Sequence, residues 1–279
     1  MKTILVPTDF SENAIPAMKT AILAAQKADL LLVFLHITDV LNNQEDKHKV
    51  FSLAESKLKD VVYQLYGILN LLPDDTKHKY LIMSSFLIHE TIAQTAEEHK
   101  IDLVMMGTHG STGLERVLLG SNTVGTIEKS ACPVLAIPTG YDFKGFRKLG
   151  YATDLVKLDK EMAQIVDFAK IFGAAIEIFH IFPVYPQNVE IDKIDNHAFT
   201  ENLQQTFNYP HINLHFVHTA KENETAAGVE LFIKCYKPDV VAMFMRERSW
   251  FDKIFDHSKT EALVFHATIP LLALKSIAD

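Results

Sequence analysis

Residues 105–138 read MMGTHGSTGLERVLLGSNTVGTIEKSACPVLAIP and contain the most informative pattern in the chain. An apolar run predicts a buried strand that ends at Met106, and a helix is predicted from Ser121. Between the strand and the helix, the glycines follow the spacing Gly-x2-Gly-x9-Gly-Ser, beginning at Gly107. Because glycine lets a ligand approach the backbone closely, this spacing predicts a ligand-binding loop.

The start of the predicted helix is suited to an anion. The first N–H groups of a helix have no partner within the helix, and the helix dipole adds positive potential there. We therefore expect the backbone N–H groups of Gly120, Ser121, Asn122 and Thr123 to face a phosphate group. The hydroxyls of Ser121 and Thr123 would add neutral donors.

The composition excludes several classes of protein. A length of 279 residues predicts about two domains, and 48% hydrophobic with 22% charged residues is typical of globular proteins. The net charge of −8 gives no electrostatic support for a nucleic-acid partner. The longest apolar run, Leu30–Leu35, is far shorter than a membrane span, and no signal segment is recognised. We expect a cytoplasmic protein.

Strands and helices alternate along the first half of the chain. The predicted strands are Thr3–Val6, Leu30–Ile37, Tyr80–Ser84, Asp102–Met106 and Val134–Ile137. This alternation predicts a parallel, doubly wound α/β sheet, most simply in the flavodoxin-like order 3-2-1-4-5. Its switch point lies between strands 1 and 4, where Asp9 and Gly107 would meet. Ser11 is predicted to cap the first helix.

The same pattern recurs in the second half. The recurring anchors are Thr8-Asp9 with Thr153-Asp154, His36 with His180, and Pro133 with Pro270, at offsets of 145, 144 and 137 residues. Anchors in the same order at nearly constant spacing indicate a duplicated domain. We expect domains at 1–140 and 147–279, each with five parallel strands. The recurrence of His36 and His180 favours a role in the shared fold over catalysis.

Four segments together resemble the universal stress protein (UspA-like) family, in its ATP-binding branch. They are the glycine pattern, Ile4–Asp9, Leu35-His36-Ile37 and the Pro-Val-Leu-Ala-Ile segment from Pro133. The resemblance spans both copies, but the full motif stands only in the first. It implies two tandem Rossmann-like domains of the adenine nucleotide alpha hydrolase-like type. It also implies ATP, or ADP or AMP, as a ligand, with or without Mg²⁺.

The resemblance also implies a set of nucleotide contacts. These are Pro7 and Thr8 at the strand end, Asp9 beside the nucleoside, Ile37 at the adenine, Met106 and Gly107 at the ribose, and Gly110, Gly120, Ser121, Asn122 and Thr123 around the phosphates. His109 lies inside the glycine loop, where it could contact phosphate or tilt outwards. Singly, each residue has an ordinary structural explanation, such as a helix cap or a tight turn. Together they favour a nucleotide site.

The second copy departs from this motif. Residues 245–258 contain no glycine, and they place Glu247 near the position of Gly110 and His257 at that of Gly120. A carboxylate would oppose a phosphate, so we do not expect this copy to bind ATP in the same way. Trp250 in this loop either packs as an apolar lid or fills the vacant pocket or contacts a partner.

Three functions remain open at this stage. The favoured one is a non-catalytic ATP-binding protein of stress response or signalling. A slow ATPase is the second. The chain lacks a Walker lysine, so Arg116 is the cation that the glycine loop offers for stabilising charge on the phosphates. A ligand-free interaction or scaffold protein is the third. We assign no catalytic residue and no metal ligand. The 13 histidines form no recognisable metal motif, because alternation places His215 and His218 on opposite faces of a strand.

The resemblance further implies association through the last strand of each domain. Here the two domains of one chain would form a pseudo-dimer through Val134–Ile137 and Leu271–Leu274. Homodimerisation of whole chains stays open.

Overall fold

A computed structural model describes residues 2–39, 44–108, 119–183, 196–219, 225–245 and 268–275. The chain divides into two compact units, residues 1–144 and 145–279. None of the helices within the described residues is both long enough and apolar enough to cross a membrane.

The first unit alternates strands and helices. Its elements are β1 (Lys2–Pro7), α1 (Ile15–Ala25), β2 (Leu30–Thr38), α2 (Gln44–Ile68), a short 3-10 turn (Asp75–Lys77), β3 (His78–Ser84), α3 (Ile88–Glu98), β4 (Leu103–Gly107), α4 (Ser121–Lys129) and β5 (Val134–Ile137). The prediction for Ser11 is wrong, because α1 begins at Ile15 with Ala14 at the N-cap and a proline in its first turn. Proline suits that position because its missing N–H has no helical partner there.

The strands of the first unit form a parallel sheet in the order β3-β2-β1-β4-β5. β1 lies between β2, with Pro7 opposite Leu35, and β4, with Leu5 opposite Val104. The chain therefore leaves β1 towards one side of the sheet and later returns to its other side. The carboxyl ends of β1 and β4 form the switch point that the sequence predicts, and the predicted fold class is confirmed.

The second unit repeats this arrangement. Its elements are β6 (Lys148–Ala152), α5 (Leu158–Phe172), β7 (Ala175–Pro183), α6 (Asn196–Thr206), β8 (Ile212–Thr219), α7 (Thr225–Tyr236), β9 (Val240–Met245) and β10 (Leu271–Lys275). The strand order β8-β7-β6-β9-β10 matches that of the first unit, and the strand pairs are parallel. β4 and β9 are apolar on both faces, as a sheet covered by helices on both sides requires.

Each unit contains an equivalent hydrogen bond within its own sheet, in addition to the shared topology. Asp102 accepts a bond from the backbone N–H of Thr3 at 2.8 Å, and Asp239 accepts one from that of Lys148 at 2.9 Å. In each case the carboxylate, placed just before the fourth strand of its unit, fixes the start of the first strand. The repeat is thus present in side-chain chemistry, although few residues are identical.

Candidate functional site

A cavity of about 330 Å³ opens at the carboxyl ends of β1, β2 and β4. Its described lining residues are Pro7, Thr8, Asp9, Ala14, Leu35, Ile37, Asp39, Ile88, Ile92, Met106, Gly107, Asn122 and Thr123. The charged side chains among them are Asp9 and Asp39, both at the ends of strands. The cavity lies at the switch point, where open α/β sheets bind their ligands.

The structure brings most of the predicted contacts together. Eight of them line the cavity: Pro7, Thr8, Asp9, Ile37, Met106, Gly107, Asn122 and Thr123. Gly120 and Ser121 lie directly before Asn122, at the start of α4. His109 and Gly110 lie outside the described residues, and their predicted roles stay predictions.

Sequence reasoning missed part of the cavity wall. Leu35 and Asp39 share a face with Ile37, because alternate residues of a strand point the same way. Ile88 and Ile92 are four residues apart on α3 and therefore share one face of that helix. Both spacings are visible in the sequence, but only the fold shows that these faces meet at the switch point.

The segment after β1 is fixed by local hydrogen bonds. The Thr8 hydroxyl accepts a bond from the Phe10 N–H at 3.1 Å, and Asp9 Oδ1 accepts one from the Ser11 N–H at 2.9 Å. Phe10 adopts a left-handed conformation with φ of 63°, which is strained for an aromatic residue. These bonds hold the tight turn that places Asp9 at the cavity.

His36 supports this turn from the other face of the sheet. Its Nδ1 lies 2.8 Å from the carbonyl oxygen of Thr8, and its ring centroid lies 4.2 Å from that of Phe10. A carbonyl only accepts, so Nδ1 carries the proton. Burial lowers the pKa of His36, which favours the neutral ring. Lys57 Nζ covers the Phe10 ring at 4.3 Å from its centroid.

His180 makes the same contact in the second unit. Its Nδ1 lies 2.7 Å from the carbonyl oxygen of Thr153, and Leu155 adopts a left-handed φ of 68°. The predicted structural role of His36 and His180 is therefore confirmed. Both rings fix the turn that follows the first strand of their unit.

The start of α4 offers fewer donors than the sequence suggests. Gly120, at the N-cap, has φ of −65° and ψ of 156°, and its N–H donates to the Thr108 carbonyl at 2.6 Å. The Thr123 N–H donates to the Gly120 carbonyl at 2.9 Å. The Thr123 hydroxyl donates to the Gly107 carbonyl, also at 2.9 Å. These groups join the end of β4 to the helix. An anion is therefore left with the N–H groups of Ser121 and Asn122.

In the second unit, α7 packs tightly on the strand that corresponds to β2. Phe179 and Ile181 occupy the positions of Leu35 and Ile37, at an offset of 144 residues. The Phe179 ring is stacked on Phe232 of α7 with a centroid distance of 3.8 Å. A Cβ at Gly228 would lie only 2.6 Å from Ile181 Cγ2, so α7 packs directly on the strand. The predicted loop at 245–258 lies outside the described residues beyond Met245.

The sheet order defines a Rossmann-like α/β protein, with a cavity at the switch point where such proteins bind their ligands. The model of the universal stress protein family matches residues 1–138. The chain is also 33% identical over 155 residues to the universal stress protein MJ0577 of Methanocaldococcus jannaschii, covering 94% of that protein and 49% of this chain. The chain belongs to the universal stress protein family.

Other relatives agree with this assignment. A second universal stress protein of Methanocaldococcus jannaschii, MJ0531, is 31% identical over 138 residues and is covered to 81%. The crystal structure of a universal stress protein from Archaeoglobus fulgidus aligns over 98% of both chains with a TM-score of 0.68 at 16% identity. At that identity the likeness concerns the fold, and it extends over both halves of this chain.

Proposed function

We propose that the first unit binds an adenine nucleotide, with ATP foremost, and that the protein acts in stress response or signalling without efficient catalysis. The observation that carries this proposal is the cavity at the switch point, which collects eight of the residues predicted from the sequence motif. A cavity of about 330 Å³ lies in the usual size range for small-molecule sites.

The cavity has distinct ends that suit the parts of a nucleotide. The N–H groups of Ser121 and Asn122 and the dipole of α4 provide the end for phosphate. Asp9 and Gly107, at the ends of the central strands, would meet the ribose. Ile37 lies where β2 continues beyond its last partner in β1, so its backbone borders the cavity and can serve the base.

The described residues favour binding over hydrolysis. Efficient phosphoryl transfer needs a cation to stabilise the transition state and a group that positions water. The described lining of the cavity includes no lysine or arginine. Mg²⁺ would therefore arrive with the phosphates. Of the two carboxylates in the described lining, Asp9 would lie nearer to the ribose and the phosphates.

The packing of α7 on β7 in the second unit supports a stoichiometry of one nucleotide per chain. Phe179 stands at the position of Leu35, which lines the cavity of the first unit, and its ring is stacked on Phe232 of α7. This inference from described residues is independent of the loop that first suggested a degenerate second copy.

Mass spectrometry of small molecules released from the purified, heat-denatured chain tests the proposal, together with calorimetric titration of ATP. We expect about one adenine nucleotide per chain. Gly120→Asp and Asn122→Asp, which place a negative charge at the phosphate end, should reduce affinity at least about tenfold. Gly67→Asp is the matched control, because a side chain there meets nothing within 4 Å.

The outcomes separate the three functions. Absence of bound nucleotide and of titrated binding would favour the ligand-free scaffold. Phosphate release by the wild type that exceeds release by Asn122→Asp would favour the slow ATPase. Two nucleotides per chain would show that the second unit also binds one.

A further inference from the structure

We propose that Asp39 determines base specificity, by accepting a hydrogen bond from an exocyclic amine of the bound base. This inference rests on the proposed nucleotide site and concerns the same cavity. It assigns a role to a carboxylate that the motif does not include.

The position of Asp39 is fixed by its neighbours. It directly follows β2 and lines the cavity on the same face as Leu35 and Ile37. Its backbone carbonyl accepts bonds from the Ser84 hydroxyl at 2.9 Å and the Thr38 hydroxyl at 3.3 Å. The backbone of Asp39 is thus tied to both β2 and β3, and the residue lies exposed at the end of the β2 wall of the cavity.

This carboxylate stands far from the phosphate end. β2, β1 and β4 are consecutive neighbours in the sheet, and neighbouring strands lie about 4.8 Å apart. The end of β2 therefore lies roughly 10 Å from the end of β4, which leads towards α4. This separation is comparable to the length of a nucleoside. A ligand with its phosphates at α4 would place its base, and not a charged group, beside Asp39.

The other side chains that the structure describes in the cavity lining at the base end are apolar. Ile37, Ile88 and Ile92 provide flat apolar contacts for a ring. A carboxylate only accepts hydrogen bonds, so it pairs with an amine and opposes a carbonyl oxygen. A carbonyl oxygen brought against this exposed carboxylate would exchange hydrogen bonds to water for electrostatic repulsion. Asp39 therefore favours a 6-amino purine over a 6-oxo purine.

Asp9 has a different task. Its Oδ1 accepts a bond from the Ser11 N–H at 2.9 Å, within the turn at the end of the central strand β1. It lies beside the middle of the ligand, whereas Asp39 lies at the outer edge of the site.

Calorimetric titration of the full chain with ATP and with ITP tests this assignment, because the two nucleotides differ only at purine position 6 and its coupled proton. We expect the wild type to bind ATP at least about tenfold more tightly than ITP. In Asp39→Asn the ratio should fall to within about threefold, since an amide can donate to the oxo group. Asp39→Ala should lose affinity for ATP without gaining affinity for ITP.

Asp60→Asn, on an exposed position of α2, is the matched control and should keep the wild-type ratio. If the wild type binds ATP and Asp39→Asn keeps the wild-type ratio, the assignment of Asp39 is wrong while the nucleotide site stands. If the folded wild type binds neither nucleotide, the nucleotide site itself is wrong, and the role of Asp39 with it. Thermal unfolding of each variant confirms that it is folded.

Discussion

The ring of His89 on α3 occupies the space that a side chain at Gly125 on α4 would need. A Cβ at Gly125 would lie 2.5 Å from His89 Cγ and 2.6 Å from His89 Cδ2. The two helices are therefore as close as a glycine allows. α3 supplies Ile88 to the cavity and the first turn of α4 supplies Asn122, so this contact sets the distance between two parts of its wall.

We expect Gly125→Ala to weaken ATP binding about tenfold and to lower the free energy of unfolding by about 1–3 kcal/mol, because the added methyl group forces α3 and α4 apart. Adding His89→Ala removes the obstructing ring and should restore much of the affinity. Calorimetry and urea unfolding measure both effects. Gly67→Ala, in a helix and without contacts within 4 Å, is the control and should not weaken binding. Wild-type affinity in Gly125→Ala would show that this contact does not shape the site.

The hydroxyl of Thr123 is expected to matter for structure rather than for direct ligand contact. It is buried and donates to the carbonyl of Gly107 at 2.9 Å. Thr123→Val leaves that carbonyl without this donor and should lower the free energy of unfolding by about 1–3 kcal/mol. Thr123→Ser keeps the hydroxyl and should retain most of both stability and affinity. Equal stability of the valine and serine variants would contradict this role.

Stability of the first unit should decrease in mild acid because of His78. Its side chain is 8% exposed, and its Nε2 lies 2.7 Å from the Tyr66 hydroxyl oxygen. Burial lowers the pKa of His78 from its usual value of 6.5, so the unfolded chain binds this proton more readily than the folded one. The neutral ring therefore contributes fully to the free energy of unfolding above pH 6.5. This contribution falls as the pH drops from 6.5 towards the pKa of His78 in the folded state.

Urea unfolding between pH 5 and pH 8 measures this dependence. Replacing both partners, with His78→Leu and Tyr66→Phe, should reduce the slope of unfolding free energy against pH by up to about 1.4 kcal/mol per unit, the limit for one proton. His36 and His180 shift in the same direction and leave a residual slope. An unchanged slope in the double variant would assign the effect to those two histidines instead.

The second unit has an acidic counterpart. Glu177 Oε2 lies 2.6 Å from His215 Nε2, and this bond holds the pKa of Glu177 below its usual value of 4.5. The folded carboxylate therefore stabilises the unit above about pH 4.5, and this contribution is lost as the pH falls through the lower folded pKa. Glu177→Gln should cost about 1–3 kcal/mol at pH 7, and less below pH 4. Glu230→Gln, at an exposed position of α7, should cost little at either pH.

Much of the fold follows from local sequence patterns. Apolar strands of the right length, separated by amphipathic helices, are enough to predict the parallel order and its switch point. The predicted cap at Ser11 was wrong because a turn competes with the helix. Thr8 and Asp9 accept bonds from the N–H groups of Phe10 and Ser11, and the helix begins only at Ile15.

The missing parts of the site have a different origin. Asp39 follows β2, whereas Ile88 and Ile92 belong to α3, and no local pattern tells that these two elements meet. The packing of α7 on β7 depends on Gly228 and Phe232, which look like ordinary helix residues until the contact with β7 is seen. The sequence predicts four N–H donors for phosphate at the start of α4. Two of them are already used, because the carbonyls of Thr108 and Gly120 accept the N–H groups of Gly120 and Thr123.

The proposed nucleotide site of the first unit also has a consequence for how the protein is degraded. A ligand that binds only the folded state raises its unfolding free energy, by about 2.7 kcal/mol at a hundredfold excess over the dissociation constant. With the site in the first unit alone, this protection would reach only that unit. When nucleotide is scarce, the first unit alone would open more often to proteases, so the lifetime of the protein would follow the energy supply of the cell.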